Sequence, residues 1–238
     1  MTALPGHTAV VSGASRGIGL EIVRALIGGG VRVAMLARSA AELELRAAEL
    51  GNLAVPIPCD VADPDAVRHA SQRILDCFDG PPFIIVNNAG RFALQTVERT
   101  EPRDFRATID VNLVAPFLVV NAFLGTMRLR NTGHIVTIGS IADRVAFPEN
   151  GAYAASKYGL RAFHEVLRSE LRGSGIRVTL VSPGPVDTSI WDEIDPDTRP
   201  GFAPRRQMLA PASVARAVLF ALSESGDVNV DELRMSHT

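Results

Sequence analysis

Two cysteines, Cys59 and Cys77, are all the thiol this 238-residue chain carries. A disulfide framework or a four-ligand zinc site needs more, so both are excluded and no metal is expected. Aromatic residues make up 5% of the chain, with one tryptophan, Trp191, and two tyrosines, Tyr153 and Tyr158. Charge of one sign is missing as well. The formal net charge is -2, which leaves no electrostatic footprint for nucleic acid or an anionic membrane. Apolar runs are short: Leu113–Val120 contains Pro116 and ends at Asn121, far from the ~18 uninterrupted residues of a spanning helix. The segment Met1–Gly6 lacks the basic region and apolar stretch of a secretory leader. These absences lead to the expectation of a soluble, cytoplasmic globular protein, with neither nucleic acid nor membrane as partner. Lysine is almost absent too. Of 24 basic residues only Lys157 is lysine, and the rest are arginine.

What is present is apolar and periodic. Hydrophobic residues make up 47% of the chain, enough for a sizeable core, and α/β domains of ~250 residues are ordinary. Short β-branched runs read as strands at Thr8–Ser12, Val31–Leu36, Leu53–Ile57, Phe83–Val86, His134–Gly139, Ile176–Val181 and Val228–Met235. Most are continuously apolar, as strands covered on both faces are. Helical spacing fills the gaps at Ile18–Ile27, Ala40–Leu50, Pro64–Phe78, Pro102–Arg128, Gly151–Arg172 and Pro211–Leu222. Pro64, Pro102 and Pro211 stand where a first helical turn tolerates proline. This alternation predicts an α/β fold, a doubly wound parallel sheet with helices on both faces. No linker or repeat divides the chain, so residues 1–238 read as one domain. Thr188–Leu209, rich in Asp, Pro and Arg, is too long for an ordinary loop and reads as a mobile substrate flap.

The turn after the first strand reads Ser12-Gly13-Ala14-Ser15-Arg16-Gly17-Ile18-Gly19. Glycines between a strand and a helix let the backbone approach a pyrophosphate, where free N–H groups and the helix dipole hold the charge. The spacing G-x-x-x-G-x-G fits the generic dinucleotide fingerprint only loosely, and a plain glycine-rich turn is the alternative. Gly13-Ala14-Ser15-Arg16-Gly17 also matches the nucleophile elbow of hydrolases. A hydrolase would need an earlier strand for its oxyanion loop and a usable downstream histidine. No strand precedes this one, His164 is mid-helix, and His237 lies in the tail.

A second constellation joins Ser140, Tyr153 and Lys157, with Asn112 upstream. Tyr153 and Lys157 are four apart in a helical segment and share a face. Ser140 follows a strand at the carboxyl edge, where open α/β sheets place ligands. A free tyrosine, with pKa ~10, is a poor acid–base catalyst at neutral pH. A nearby ammonium is expected to pull that pKa down. Lysine suits the role as a compact point charge that can also donate to a ribose hydroxyl. Taken alone, the same residues read as a surface lysine beside helix tyrosines.

Together these motifs resemble the short-chain dehydrogenase/reductase family over nearly the whole chain. The resemblance is carried by Gly13-x-x-x-Gly17-x-Gly19, Asp60-Val61, Asn87-Asn88-Ala89-Gly90, Asn112, Ser140, Tyr153-x-x-x-Lys157 and Pro183-Gly184 with Thr188. It implies a Rossmann-like, seven-stranded parallel sheet and nicotinamide-dependent carbonyl–alcohol interconversion. By the resemblance, Ser140 holds the substrate oxygen, Tyr153 passes the proton, Lys157 lowers the tyrosine pKa and grips the nicotinamide ribose, and Asn112 holds a relay water. Gly13, Ser15, Arg16, Gly17, Ile18 and Gly19 would form the phosphate loop. Asp60 and Val61 would flank the adenine, Asn88, Ala89 and Gly90 the adenosine ribose side, and Pro183, Gly184, Val186 and Thr188 the nicotinamide end. Phe83 stands where an acid is common, and Ser12 where Thr is commoner. The tail Asn229-Val230-Asp231-Glu232-Leu233 resembles that of oxidoreductases of small hydroxy acids and hydroxy amino acids.

The second strand ends Leu36-Ala37-Arg38-Ser39, with Ala37 where a carboxylate would bind the ribose hydroxyls of NAD. Arg38 and Arg16 can each reach a 2′-phosphate bidentately and Ser39 offers a hydroxyl, which predicts NADP(H). The expected function is therefore NADP(H)-dependent reduction of a ketone, aldehyde or 3-oxo ester. One alternative is a catalytically idle, redox-responsive NADP-binding regulator. Another is a 3-oxoacyl-carrier-protein reductase, for which Arg128, Arg130, Arg168 and Arg172 would be the basic docking patch. Ile141, Ala142, Phe147, Pro185, Ile190, Trp191 and Met208 are candidates for an apolar cleft, with Trp191 either a lid residue or a packing residue. The helices Pro102–Arg128 and Gly151–Arg172 resemble the pair that builds homodimers and homotetramers in the family.

Overall fold

The computed structural model describes residues 4–238, so the expectation for Met1–Gly6 lies partly outside the described residues. Seven parallel strands form one sheet: β1 (Thr8–Ser12), β2 (Arg32–Ala37), β3 (Ala54–Pro58), β4 (Ile84–Asn87), β5 (Gly133–Ile138), β6 (Ile176–Pro183) and β7 (Glu232–Met235). Their order across the sheet is β3-β2-β1-β4-β5-β6-β7. The chain winds outward from β1 to β3, crosses back to β4 and winds the other way. That reversal opens a crevice at the carboxyl ends of β1 and β4, where doubly wound sheets bind ligands.

Alternate residues of each strand feed two cores. Val11, Met35, Val86 and Val136 face one side, packed with α1 (Gly17–Gly28), α2 (Ala40–Leu50) and α7 (Pro211–Ser223). Val10, Ala34, Ile85 and Ile135 face the other, under α3 (Pro64–Phe78), α5 (Ala115–Arg130) and α6 (Gly151–Glu170). Both faces need apolar cover, which is why these strands do not alternate in polarity. Proline occupies the first turn of α3, α7 and α4 (Pro102–Ile109), where its missing N–H costs nothing, while Pro116 of α5 lies just after a π turn inside continuous helical backbone.

Two sequence expectations change. The single helix expected over Pro102–Arg128 is interrupted by a π-helical turn, Asp110–Val114, between α4 and α5. The continuous Pro102–Arg130 rod is long and apolar enough to cross a membrane by length and composition alone. In this fold Val119, Val120, Phe123 and Met127 of that rod are buried against the sheet. The last strand starts at Glu232 rather than Val228, because side chain replaces backbone ahead of it. Asn229 accepts from the Val178 N–H at 2.8 Å and donates to the Val178 carbonyl at 3.1 Å.

The 188–209 segment contains two short 3-10 turns, Ser189–Trp191 and Arg205–Gln207. Arg205 anchors it by reaching Asp187 at 2.8 Å, the Thr188 carbonyl at 3.1 Å and Asp192 at 2.7 Å. Val186 and Leu209 close its base in a parallel bridge.

Candidate active site

The glycine loop is built so that β1 and α1 touch. Gly13 and Gly17 take positive φ, +66° and +57°, which a side chain would strain. A Cβ on Gly19 would lie 2.1 Å from the Gly13 carbonyl oxygen, and one on Gly13 would lie 2.9 Å from Ala89 Cα. Ser12 ties the loop to the next strand: its Oγ accepts from the N–H groups of Asn88 (3.0 Å) and Ala89 (3.1 Å). Asn88 Nδ2 returns bonds to the carbonyls of Ser12 (2.9 Å) and Gly13 (3.2 Å). Serine therefore performs the hydroxyl role expected at position 12.

This loop fits a dinucleotide. No side chain caps the start of α1, and no acid sits in its first turn, so its first N–H groups face outward for an anion. Arg16 and Arg38 are exposed and make no ion pair among the described residues. Ser39 is partly committed, because its Oγ caps α2 by accepting from Glu42 N–H at 3.3 Å. Asp60 binds the Ala62 N–H at 3.0 Å, and Val61 is buried in the second core. Across the crevice, Gly184 N–H bonds the Met235 carbonyl at 2.8 Å after Pro183 closes β6. Thr188 lies against Gly17, whose absent Cβ would meet its Cγ2 at 3.2 Å. Gly90 lies beside Asn112, whose Oδ1 is 3.6 Å from where a Cβ would stand.

Ser140, Tyr153 and Lys157 come together at the end of β5. Ser140 caps a short 3-10 turn, Ile141–Asp143, accepting from Ala142 N–H at 3.1 Å, and its hydroxyl bonds the Tyr153 phenol. Lys157, buried on α6, donates from Nζ to the Ile138 carbonyl at 3.0 Å and lies 5.7 Å from the Tyr153 ring centre. Burial pushes the Lys157 ammonium down to about 8, while the Asp143 carboxylate opposes the fall.

One expected role is modified by this geometry. Burial holds the Tyr153 phenol above its ordinary value; the Ser140 bond pulls it down and Asp143 pushes it up again. The lowering expected from Lys157 does not prevail, since burial dominates and Nζ is bonded to Ile138 rather than to the phenol. Asn112, fully buried in the π turn, uses both Nδ2 hydrogens within the protein, on the Arg91 carbonyl (2.9 Å) and Ser156 Oγ (2.9 Å). Its Oδ1 accepts from Arg91 N–H at 2.7 Å. Its side chain is thus a clamp on the Arg91 backbone, with both of its donors used within the protein.

Aromatic rings stand over the tyrosine. Phe92 meets Tyr153 edge-on at 4.7 Å and Trp191 at 5.0 Å, and Phe202 lies 6.1 Å from both Trp191 and Phe147. Trp191 is buried beneath the flap, its indole N–H bonded to the Val186 carbonyl at 3.0 Å. The sequence reading missed Phe92 and Phe202. Phe92 could have been found from its place two residues after the Asn-Asn-Ala-Gly turn; Phe202 has no local signal. Ala142 and Met208 are buried, while Ile141, Phe147 and Ile190 are exposed around the cleft. Four nearby arginines are engaged: Arg91 with Asp104, Arg144 with Asp143 and Glu232, Arg199 with Glu149, and Arg205 with Asp187 and Asp192, whereas Arg206 of the flap is exposed and makes no ion pair among the described residues.

Comparison with known proteins agrees with this arrangement. A family model described as short chain dehydrogenase matches residues 7–199. An uncharacterized oxidoreductase of Staphylococcus saprophyticus is 34% identical over 228 residues, covering 94% of this chain and 92% of the relative. An alcohol dehydrogenase from the archaeon Thermococcus sibiricus, solved with 5-hydroxy-NADP, superposes with a TM-score of 0.87 at 30% identity, covering 98% of this chain and 97% of that one. The closed form of a serine dehydrogenase with NADP+ superposes with a TM-score of 0.88 at 28% identity, covering 96% and 94%.

Proposed function

Because the chain belongs to the short-chain dehydrogenase/reductase family, we propose that it is an NADP(H)-dependent oxidoreductase that interconverts a carbonyl and an alcohol. The observation that carries this reading is the Ser140–Tyr153–Lys157 cluster at the carboxyl edge of β5, beside an uncapped phosphate loop with two unpaired arginines. NADPH, when bound, supplies the hydride to the carbonyl carbon. The chain's own residues supply the rest. The Ser140 hydroxyl donates to the carbonyl oxygen and orients it. Tyr153 Oη gives its proton to that oxygen as negative charge develops there; the buried phenol carries that proton at neutral pH, and its transfer depends on a group that stabilises the phenolate. Lys157 stabilises the phenolate left behind. Asn112 acts through the Arg91 backbone, holding the segment that carries Phe92. Arg16 and Arg38 would clamp the 2′-phosphate that Ala37 does not repel.

Residues 1–238 act as one domain in this reading, with 188–209 covering the substrate. Phe92, Trp191 and Phe202 support a neutral, apolar carbonyl substrate. Four arginines around the cleft are held in ion pairs, while Arg206 of the flap is an unpaired cation among the described residues, so the hydroxy acids and hydroxy amino acids suggested by the tail stay as the second reading. Of the candidate carrier-protein docking arginines, Arg168 is paired with the Asp231 carboxylate, while Arg128 and Arg130 bond only the backbone carbonyls of Glu170 and Asp79 and keep their charge. The exposed Phe105, Phe117 and Val166 on α4, α5 and α6 support a homodimer or homotetramer through these helices, in the cytoplasm.

The test is NADPH oxidation against neutral ketones and aldehydes, 3-oxo esters and 2-oxo acids, with Tyr153→Phe beside the wild type. Neutral carbonyls are expected to be turned over, and the variant to bind NADPH yet lose ~10²–10⁴-fold in turnover. No turnover of any carbonyl would favour the idle regulator. More than half the activity surviving in the variant would remove Tyr153 from the chemistry.

A further inference from the structure

Asp143 is the fully buried carboxylate nearest the proposed chemistry, and nothing above gives it a task. It ends the 3-10 turn that Ser140 begins, and its N–H bonds the Ser140 carbonyl at 2.9 Å. Ser182 of β6 donates to its Oδ2 at 2.6 Å, and Arg144 donates to its Oδ1 at 2.7 Å. Arg144 spends its other arm on Glu232 of β7, also at 2.7 Å. The backbone makes room for this group: a Cβ on Gly139 would stand 2.9 Å from Asp143 Oδ2 and 2.7 Å from Ser182 Oγ. Gly139 directly follows Ile138, the residue whose carbonyl holds Lys157 Nζ.

The groups facing Asp143 are few. They are Ser182 from β6, Arg144 from the turn itself with Glu232 of β7 behind it, and Tyr153 and Lys157 from α6, which packs on the turn. Asp143 is fully buried, whereas Arg144 is partly exposed and divides its guanidinium between Asp143 and the one-third exposed Glu232. The buried carboxylate is therefore only partly neutralised by Arg144, and it presents its remaining charge to α6 packed on the turn, where Lys157 is the buried cation.

We propose that Asp143 is a positioning residue that fixes the Ser140 turn to β6 and β7 and keeps the Tyr153–Lys157 pair protonated to higher pH, so that carbonyl reduction persists further into the alkaline range. This rests on the reading of Tyr153 as proton donor. Asp143 touches neither substrate nor cofactor; it acts through the charge it presents to α6. Burial lowers Lys157 and the carboxylate works against that fall, with about 8 as the net result, while the same charge raises the phenol further. Removing one negative charge lowers both macroscopic pKa values of a coupled pair, whichever member releases its proton first.

The experiment is the pH profile of kcat/KM for carbonyl reduction at saturating NADPH, for wild type, Asp143→Asn, Arg144→Gln and Tyr153→Phe. Asparagine keeps the shape and can accept from Ser182, losing the charge and with it the Arg144 bond at the other oxygen. Its basic limb is expected to move down by about one pH unit, the effect of one partly screened charge at several ångströms. Arg144→Gln leaves the carboxylates without their guanidinium, and the limb is expected to move up. A merely loosened turn would not produce shifts of opposite sign. An unmoved limb in Asp143→Asn, or shifts of the same sign in both variants, overturns the proposal. If Asp143→Asn does not fold, the direction of the Arg144→Gln shift decides alone. An active Tyr153→Phe overturns the reading of the site itself, a separate outcome.

Discussion

The Cβ that Gly19 lacks would stand 2.1 Å from the carbonyl oxygen of Gly13. Six residues apart in sequence, the two glycines bring the end of β1 and the first turn of α1 into direct backbone contact. Asn88 Nδ2 closes the gap from the side, 3.2 Å from the same carbonyl and 2.5 Å from the missing Cβ. Gly19→Ala must therefore push α1 away from β1. Overpacking of this kind costs about 1–3 kcal/mol. The variant is expected to melt earlier and to bind NADPH at least about tenfold more weakly, since about 1.4 kcal/mol is tenfold. Thermal melting and NADPH fluorescence titration measure the two effects. Unchanged NADPH affinity would mean that the loop does not hold the pyrophosphate.

Cofactor choice is expected to follow Arg38 and Ala37. Charge-assisted hydrogen bonds contribute ~1.5–3 kcal/mol, so Arg38→Ala is expected to raise KM for NADPH roughly ten- to a hundredfold and leave NADH nearly untouched. Ala37→Asp adds repulsion against the 2′-phosphate and an acceptor for the ribose hydroxyls, so preference swings towards NADH. Added salt is expected to shrink the wild-type advantage, since both arginines are exposed. Steady-state kinetics with both cofactors is the measurement. A wild type that prefers NADH would refute the assignment.

Stability is expected to fall on mild acidification, because two buried histidines stay neutral in the fold. Burial, reinforced by Arg177, holds His134 down to about 3, and burial with Arg168 holds His164 down to about 4, against an ordinary value of 6.5. Above pH 6.5 both are neutral folded or unfolded, and the stabilisation is complete. Below it the unfolded chain takes up protons that the folded chain refuses, so stability is lost as pH falls, until about 4 for His164 and about 3 for His134. One proton is worth about 1.4 kcal/mol per pH unit, so the two histidines together cost roughly 4–5 kcal/mol between pH 6.5 and 4.5. His134 bonds Thr179 Oγ1 at 2.8 Å across β5 and β6, and His134→Gln can keep that bond. Urea melts at several pH values are expected to show a shallower acid dependence in the variant. An unchanged slope would refute the assignment to His134.

Much of the fold was legible locally. Continuous apolar strands, helical spacing between them and proline in first turns belong to each segment by itself, and the seven strands and their helices appear within a few residues of expectation. The Tyr153–Lys157 pairing was legible for the same reason, since four residues on one helix always share a face. Where periodicity was a poor guide, a local detail had replaced the regular backbone. The π turn around Asn112 interrupts an otherwise continuous helical pattern, and the Asn229 side chain stands in for the strand backbone ahead of β7.

By itself the sequence determined the secondary structure, the phosphate loop and the presence of a hydroxyl–phenol–ammonium set, because these depend on neighbours a few residues apart. Only the tertiary structure decided how that set is tuned. Asp143 meets Ser182 across 39 residues and Arg144 meets Glu232 across 88. Phe92, Tyr153 and the flap residues Trp191 and Phe202 converge from three separate segments. A pKa is set by everything within a few ångströms in space, so burial overrides the lowering that Lys157 alone would cause at Tyr153. No pattern along the chain records which distant residues the sheet order will bring together.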